Sequence, residues 1–519
     1  MNLQILSTSD SHTFWWGEET IAKDVAAPYG LFRAASVLST MTKDAEKNGD
    51  FLIKIDNGDF IQGPLLGNYI AESAPDQVTI FSELPKQIGY DVRTLGNHEF
   101  NFGIDYLKKI FKDDQTLLNA NVLDKETVQP FIGQAYKIFE KKGKKVAVIG
   151  LTTKYVPNWE KPENIRGIEF VDPVQVAKEL IKQLESRVDA IVIAYHGGFA
   201  RDLTTDATLE PETGENQGNE LLKLPGLSAL VTGHQHRQIA GVYNGVPVSQ
   251  PGYRAEAVGQ LTIPFTDEKN QKGQTQPAVA NLVHTNNWPE DTKILAQYQT
   301  LKEELDGWLD QVLATSGTDL SIQSVSQARQ KGHPFVDLIN HIQLEATGAD
   351  LSATALFNDE VAGFGHTITR RSILGNYPFP NTPVTIAMTG KQVQRALETN
   401  AAYFTLVDQQ IAVNPSYHLS KKQDYNYDLW LGLDYRFDLT KPIGQRVTIE
   451  AIQQQPFDPD KTYRVVVNNY RATGAGNQVF KEGKVLSEGR QTISEMIEDY
   501  FQNHDKIFST KQKHFHIDY

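Results

Sequence analysis

Five of the thirteen histidines precede residue 284, and each stands just past a short apolar run, beside Asp, Asn or Gly. The local sequences are Asp10-Ser11-His12, Gly96-Asn97-His98-Glu99, Tyr195-His196-Gly197-Gly198 and Gly233-His234-Gln235-His236. Asp56-Asn57-Gly58-Asp59 is a similar motif without a histidine. Carboxylates, imidazoles and one amide carbonyl are hard and borderline ligands, a mixture that suits Mn, Zn or Fe and not a soft-metal site. Asp10, His12, Asp59, Asn97, His196, His234 and His236 are more ligands than one ion needs. Two ions sharing a carboxylate would use them all, and paired metals ~3.5–4 Å apart recur in phosphoryl chemistry. Asp59 is the natural bridge. Taken singly, each motif also fits an N-cap or a polar turn. The argument for a site is that all five occur together, each at the end of an apolar run.

Those runs are what must position the ligands. Residues 3–8, 51–55, 92–95, 117–122, 146–151, 190–194, 229–231 and 246–248 read as buried strands, with helical spacing at 31–47 and 173–186. In an α/β sheet the turns after the strands collect along one edge, where ligands bind. A layered α/β domain is therefore expected over residues 1–288. Residues 267–277 are polar and read as a solvated loop. Residues 289–313 read as one amphipathic helix, and the small residues 314–318 that follow suggest a hinge. This makes 289–317 a linker and 318–519 a second domain of mixed helix and strand.

Composition narrows the classes. The 519 residues include 64 acidic and 50 basic side chains, for a net charge of −14, and no cysteine. Thiolate metal sites, disulfides and a Cys nucleophile are excluded, and a nucleic-acid polymer or an anionic membrane is a poor partner. No apolar run reaches the ~20 residues of a membrane span. The first residues lack a basic, then apolar, leader. The expectation is a cytoplasmic protein, or an exported or surface form whose leader has been removed.

With these motifs in order, the chain resembles the calcineurin-like metallophosphoesterases. Within them it resembles the two-domain 5′-nucleotidase and 2′,3′-cyclic-nucleotide 2′-phosphodiesterase (3′-nucleotidase) family. The resemblance implies a four-layer α/β/β/α catalytic domain followed by an α+β domain of the 5′-nucleotidase type. It implies two divalent ions, Mn²⁺ first, with Zn²⁺, Fe²⁺ or Co²⁺ as alternatives. One would be held by Asp10, His12, Asp59 and His236, the other by Asp59, Asn97, His196 and His234. Asn97 and His98 would touch the phosphate, and a hydroxide bridging the metals would attack phosphorus in line.

Two departures point within the family. Asn101 stands where many 5′-nucleotidases carry an Asp paired with the catalytic His. The region Phe357-Asn358-Asp359-Glu360-Val361-Ala362 lacks their Gly triplet and Arg. Residues 367–371, 377–382 and 468–476 also look more like the cyclic-nucleotide branch. By similarity, Tyr425 and Tyr470 would sandwich the base and Asn358 would contact substrate. Tyr427, two residues from Tyr425, competes for that role. A substrate held by metals on one domain and a base slot on the other would bridge the two, with a hinge near 313–320.

The leading expectation is hydrolysis of 2′,3′-cyclic nucleotides to 3′-nucleotides, then to nucleoside and phosphate. The alternatives are a 5′-nucleotidase or UDP-sugar hydrolase using the same metals, and a non-catalytic metal-stabilised binding module. The intact ligand set argues against the last. No obligate protein partner is implied.

Overall fold

The computed structural model describes all residues except 20, 64, 266–276, 420–421, 505–506 and 508–513. The polar loop expected at 267–277 lies almost wholly outside the described residues. The chain divides into two compact units, Met1–Leu305 and Asp306–Tyr519.

The first unit is built on two sheets. In the five-stranded sheet the order is Val279–His284, Ala257–Pro264, Asn2–Thr8, Phe51–Asp56 and Val92–Arg93. Asn2–Thr8 runs parallel to Phe51–Asp56, which runs parallel to Val92–Arg93. The six-stranded sheet has the order Gln238–Tyr243, Val246–Pro251, Ala229–Val231, Ala190–His196, Lys144–Thr152 and Tyr136–Lys141. Its central strands are parallel. Alternate side chains decide what packs where. Ile5, Ile53 and Ile55 from one sheet meet Val146, Val148, Val192 and Val231 from the other in a single core. The opposite face of the second sheet, with Ala147, Ile149, Ile191 and Ile193, is covered by Ala177, Ile181 and Leu184 of the helix Pro173–Leu184. The helix Leu31–Asn48 packs on the strands of the first sheet. This is the four-layer α/β/β/α arrangement.

One expected strand is absent as a ladder. Residues 117–122 are buried but make only isolated bridges, and a short strand, Val122–Asp124, begins at their end. Leu118, Asn119 and Ala120 donate to the Arg93, Gln134 and Gly150 carbonyls, and two asparagine side chains take over the rest of the backbone pairing. Asn119 bonds Val122 and Ile132, and Asn121 bonds both the N–H and the C=O of Thr152 as well as the Val171 carbonyl. Side-chain amides that satisfy backbone groups compete with regular pairing.

The single helix expected at 289–313 is also divided. Asp291 caps Thr292–Gln297 through Lys293 N and Ile294 N, and Gln299–Leu309 follows. Its apolar stripe of Ile294, Tyr298, Leu301, Leu305 and Leu309 is buried as the spacing predicts. Val312–Thr315 is a strand paired with Thr367–Thr369. The β-branched residues Val312 and Thr315 favour that pairing over another helical turn. The small-residue stretch expected as a hinge therefore begins inside a strand.

The second unit is α+β. One sheet has the order Asp428–Leu431, Leu351–Ala355, Thr462–Asn468, Pro383–Thr389 and Lys484–Glu488. Another has Gln455–Pro456, Val447–Ile452, Leu433–Asp438 and Phe515–Asp518. Apolar residues of Pro334–Thr347, Gly390–Ala401 and Ile493–Asn503 share one core with these strands. Arg370 pairs with Glu498, and Arg371 with Asp306 and Asp310, so this part of the 367–371 motif is structural. Among the described residues, no helix is long and apolar enough to cross a membrane.

Candidate metal centre

The five turns do converge. Asp10, His12 and His236 form one group of potential ligands, and Asp59, His196 and His234 form another. Within each group the ligand atoms lie within 4.8 Å of one another. His196 Nε2 is 3.2 Å from Asp59 Oδ2 and 3.9 Å from Asp10 Oδ1. His12 Nε2 is 3.7 Å from that same Asp59 oxygen. Asp59 thus touches both groups. Asn97 Oδ1 lies 2.7 Å from His234 Nδ1, which adds the amide to the second group. His98 enters through its backbone, whose N–H donates to Asp59 Oδ1 at 2.8 Å, while its ring meets His12 edge-on at 5.2 Å.

Three of the imidazoles are aimed by a partner on the far side. His12 Nδ1 bonds the Gln62 carbonyl at 3.0 Å and His196 Nδ1 the Asn57 carbonyl at 2.7 Å. A carbonyl can only accept, so both rings carry their proton on Nδ1 and turn Nε2 inward. His234 turns Nε2 to Glu215 at 2.8 Å and Nδ1 inward. Such outer partners orient metal-binding imidazoles and raise their basicity. Trp159 stacks on His234, and Tyr253 lies parallel to His236 at 4.7 Å.

The donor set fits divalent cations. His12 Nε2 and His236 Nε2 face each other at 3.2 Å. With its other nitrogen donating to Gln62, the neutral His12 ring offers only a lone pair there. His196 Nε2 is buried beside two carboxylates with no hydrogen-bond partner. Ligands about 2.1 Å from one ion sit roughly 3 Å apart, close to the 3.2 Å of the His12–His236 and His196–Asp59 pairs. Charge makes the same demand. Burial opposes ionisation of Asp10, yet His196 and His236 hold its carboxyl down at about 2. Burial likewise opposes Asp59, and His196 and His98 hold it well below the usual range. Burial opposes a charged His196, but Asp59 and Asp10 push it up to about 10. At His12 burial prevails over Asp59, and the ring is pushed down to about 4. Two buried carboxylates require positive charge beside them, and a proton on His196 or a metal ion supplies it.

The second unit carries the expected aromatic pair. Tyr425 and Tyr470 are half-buried, with ring centroids 6.5 Å apart and planes at 64°. They are neighbours, but a parallel sandwich would need one ring to turn. Tyr425 lies in a 3₁₀ turn, Asp424–Asn426, and not in a strand. Tyr427 is core, stacked on Tyr403 at 4.7 Å. Arg471 ties this corner together. It pairs with Asp428 at 3.0 Å, donates to Asn426 Oδ1 and to the Tyr425 carbonyl, and bonds the Ala475 carbonyl. Gly476 has φ +70°, and a Cβ there would collide with the Asn426 amide. Asn358 lies in the loop after Leu351–Ala355, and its Oδ1 accepts the Glu360 N–H. Arg329 joins that loop to Asp424, donating to the Asn358 carbonyl and lying 4.0 Å from the Asp424 carboxylate.

The calcineurin-like phosphoesterase family model matches residues 3–238, and the 5′-nucleotidase C-terminal domain model matches residues 312–482. A Staphylococcus aureus protein named as a candidate 5′-nucleotidase, solved in complex with α-ketoglutarate, is 30% identical over the whole of both chains, with a TM-score of 0.91. The chain belongs to the calcineurin-like phosphoesterases that carry a 5′-nucleotidase C-terminal domain. A 2′,3′-cyclic-nucleotide 2′-phosphodiesterase/3′-nucleotidase of Haemophilus influenzae is 26% identical over 541 residues, which cover 91% of this chain and 80% of that protein. A trifunctional nucleotide phosphoesterase of Bacillus subtilis, YfkN, is 26% identical over 92% of this chain and 36% of its own length.

The phosphoesterase centre also uses residues that the motifs do not single out. Glu99 is part of the Gly-Asn-His-Glu motif but faces away from the ligands. Its carboxylate accepts the N–H groups of Asp59, Phe60, Ile61 and Gly96. Its place in the motif was the available signal. Glu215 and Trp159 lie in irregular segments, and nothing in their local sequence marks them.

Proposed function

We propose that this phosphoesterase hydrolyses 2′,3′-cyclic nucleotides to 3′-nucleotides and then releases nucleoside and phosphate. The observation that carries the hydrolytic reading is the completeness of the two ligand groups, with Asp59 touching both. When bound there, divalent metals supply Lewis acidity toward a phosphoryl oxygen and lower the pKa of water; Mn²⁺ is the first choice for this donor set.

The ligands are Asp10, His12, Asp59, Asn97, His196, His234 and His236. The chain's own groups then do the following. Asn97 and His98 open the 3₁₀ turn His98–Phe102, and the His98 N–H on Asp59 fixes that turn against the ligands. A phosphoryl group held at these ligands would then meet the Asn97 amide and the His98 ring. In the first step water adds to phosphorus and gives up a proton, the P–O2′ bond breaks, and O2′ takes a proton from His98 Nε2, which the proton lost by the water replaces. In the second, water adds again and gives up a proton, the P–O3′ bond breaks, and O3′ takes a proton in the same way as the nucleoside leaves. His98 stabilises the charge that develops on the oxygens in both steps. In the second unit Tyr470 and Tyr425 offer ring faces to a base, and Asn358 offers a polar contact.

The cyclic-nucleotide preference is supported by the Haemophilus influenzae relative and by Asn101 in place of an Asp. The full-length likeness to the Staphylococcus aureus protein favours a second reading, 5′-nucleotide hydrolysis at the same centre. Phosphate release from 2′,3′-cyclic AMP, 3′-AMP and 5′-AMP in Mn²⁺ separates them. Turnover of the first two well above 5′-AMP is expected. A preference for 5′-AMP overturns the cyclic assignment, and no release from any of the three overturns the hydrolytic one.

A further inference from the structure

The His98 ring is held by a chain of hydrogen bonds that ends on a carboxylate. His98 Nδ1 lies 2.7 Å from Asn101 Oδ1, and Asn101 Nδ2 donates to Glu160 Oε2 at 2.7 Å. The other Glu160 oxygen accepts the Lys161 N–H and the Asn164 Nδ2, both at 2.8 Å. The Asn164 amide also donates to the Asn101 carbonyl at 3.0 Å. The direction of this chain is forced by its last member. Three donors converge on Glu160, and a carboxylate can only accept. Glu160 must therefore face the amino end of the Asn101 amide, which turns Asn101 Oδ1 toward His98. His98 Nδ1 is then the N–H donor, and Nε2 is the nitrogen that acts on substrate. An Asn alone cannot make this choice, because its amide presents a donor and an acceptor of equal size. Trp159, the preceding residue, stacks on His234 at 5.4 Å. The dipeptide Trp159-Glu160 thus braces two histidines of one centre, one directly and one through Asn101.

We propose that Glu160 is a positioning residue for His98, fixing the orientation and tautomer of the ring through Asn101. The chemical role of His98 rests on the hydrolytic reading above, but the bracing of its ring does not. The test compares wild type, Glu160→Gln, Glu160→Asp, Asn101→Asp and the double variant Asn101→Asp/Glu160→Gln. Hydrolysis of bis(p-nitrophenyl) phosphate in Mn²⁺ is one readout. The other is NMR of ¹⁵N-histidine-labelled protein without substrate, with His98→Gln assigning the ring signal.

Glu160→Gln can offer Asn101 either end of an amide, so kcat is expected to fall about tenfold with KM little changed. The hydrogen-bonded Nδ1–H signal of His98 should weaken or split. Glu160→Asp keeps the charge and should keep the signal. Asn101→Asp sets a carboxylate against Glu160. In the double variant the introduced Gln donates to the introduced carboxylate, which accepts from His98. The double variant should therefore recover about tenfold over Asn101→Asp alone. Simply additive losses in kcat overturn the proposal, as does a His98 signal that ignores Glu160→Gln. If the signal responds while wild type hydrolyses no ester, the bracing stands and the hydrolytic reading fails.

Discussion

Glu99→Gln tests whether one buried carboxylate organises two turns of the candidate metal centre. Glu99 is 1% exposed and joins the turn of Asp59 to that of Asn97. Its Oε2 accepts from Asp59 N at 2.8 Å and Gly96 N at 2.5 Å, and its Oε1 from Phe60 N at 2.6 Å and Ile61 N at 3.3 Å. Gln is nearly the same size and keeps one oxygen. Its amino group must then face two backbone N–H groups. Two hydrogen bonds to a charged acceptor are lost, at roughly 1.5–3 kcal/mol each. One effect opposes this. Burial and the nearby Asp59 carboxylate raise the Glu99 pKa, so removing its charge relieves some repulsion. The low end applies, and the net cost is about 3 kcal/mol. In a unit of this size, that lowers the melting temperature by about 6 °C. Mn²⁺ affinity should fall about 10–100-fold, because the turns carrying Asp59 and Asn97 loosen together. Calorimetry of the full chain with and without Mn²⁺, and a Mn²⁺ titration, provide the two readings. A melting temperature within about 1 °C of wild type together with unchanged Mn²⁺ affinity would refute the reasoning.

Chelation should destabilise the first unit. Mn²⁺ at a hundred times its Kd contributes about 2.7 kcal/mol, and an identical melting curve with EDTA and with Mn²⁺ would show that the ligand groups hold no ion. Tyr470→Ala should raise KM for a nucleotide by the equivalent of about 1–3 kcal/mol and leave p-nitrophenyl phosphate hydrolysis nearly unchanged; equal losses on both substrates would remove Tyr470 from the base slot. Arg471→Met leaves the buried Asp428 without its cation and should cost about 3–5 kcal/mol of stability. Adding Asp428→Asn should restore part of that loss, and a double variant no more stable than Arg471→Met would count against the pair.

What the sequence made legible and what it hid have separate physical causes. The candidate ligands were readable because each follows a parallel or core strand whose apolar run is unmistakable, such as 51–55 or 190–194. Other strands were not, among them the interior strand Ala257–Pro264 and two edge strands. Gln238–Tyr243 is half exposed and carries Gly241 and Ala240, so it shows little apolar signal, and Val279–His284 is likewise largely solvent-facing. Residues 117–122 erred the other way: they are apolar enough for a strand, yet Asn119 and Asn121 capture some of the backbone groups that a ladder would use. Asn101 was readable as an Asn where many 5′-nucleotidases carry an Asp. The structure puts a carboxylate one bond further out, on Glu160. No local pattern links residues 98, 101 and 160, since only the fold brings them together.

The backbone at the ligands was equally hidden, and it bears on how the centre binds metal. Asp10, His12, Asp59, His234 and His236 have φ of 53°, 46°, 54°, 70° and 57°. Left-handed geometry costs a residue with a side chain about 1–2 kcal/mol, and it persists only where neighbours enforce it. The turns enforce it on one another. Asp10 N donates to the Gly58 carbonyl and His12 N to the Asp59 carbonyl, both at 2.9 Å. His234 N donates to the Asp10 carboxylate and His98 N to Asp59. Gly96 completes the lock, because a Cβ there would collide with the Asp59 carboxylate. Each candidate carboxylate ligand is therefore also a backbone acceptor for a different turn. Replacing Asp10 or Asp59 removes a candidate ligand and frees a second turn at once, whereas replacing His236, whose side chain accepts no backbone N–H of another turn among the described residues, removes a candidate ligand alone. The loss of Mn²⁺ binding should accordingly be spread over both ions for either aspartate and confined to one ion for His236→Ala.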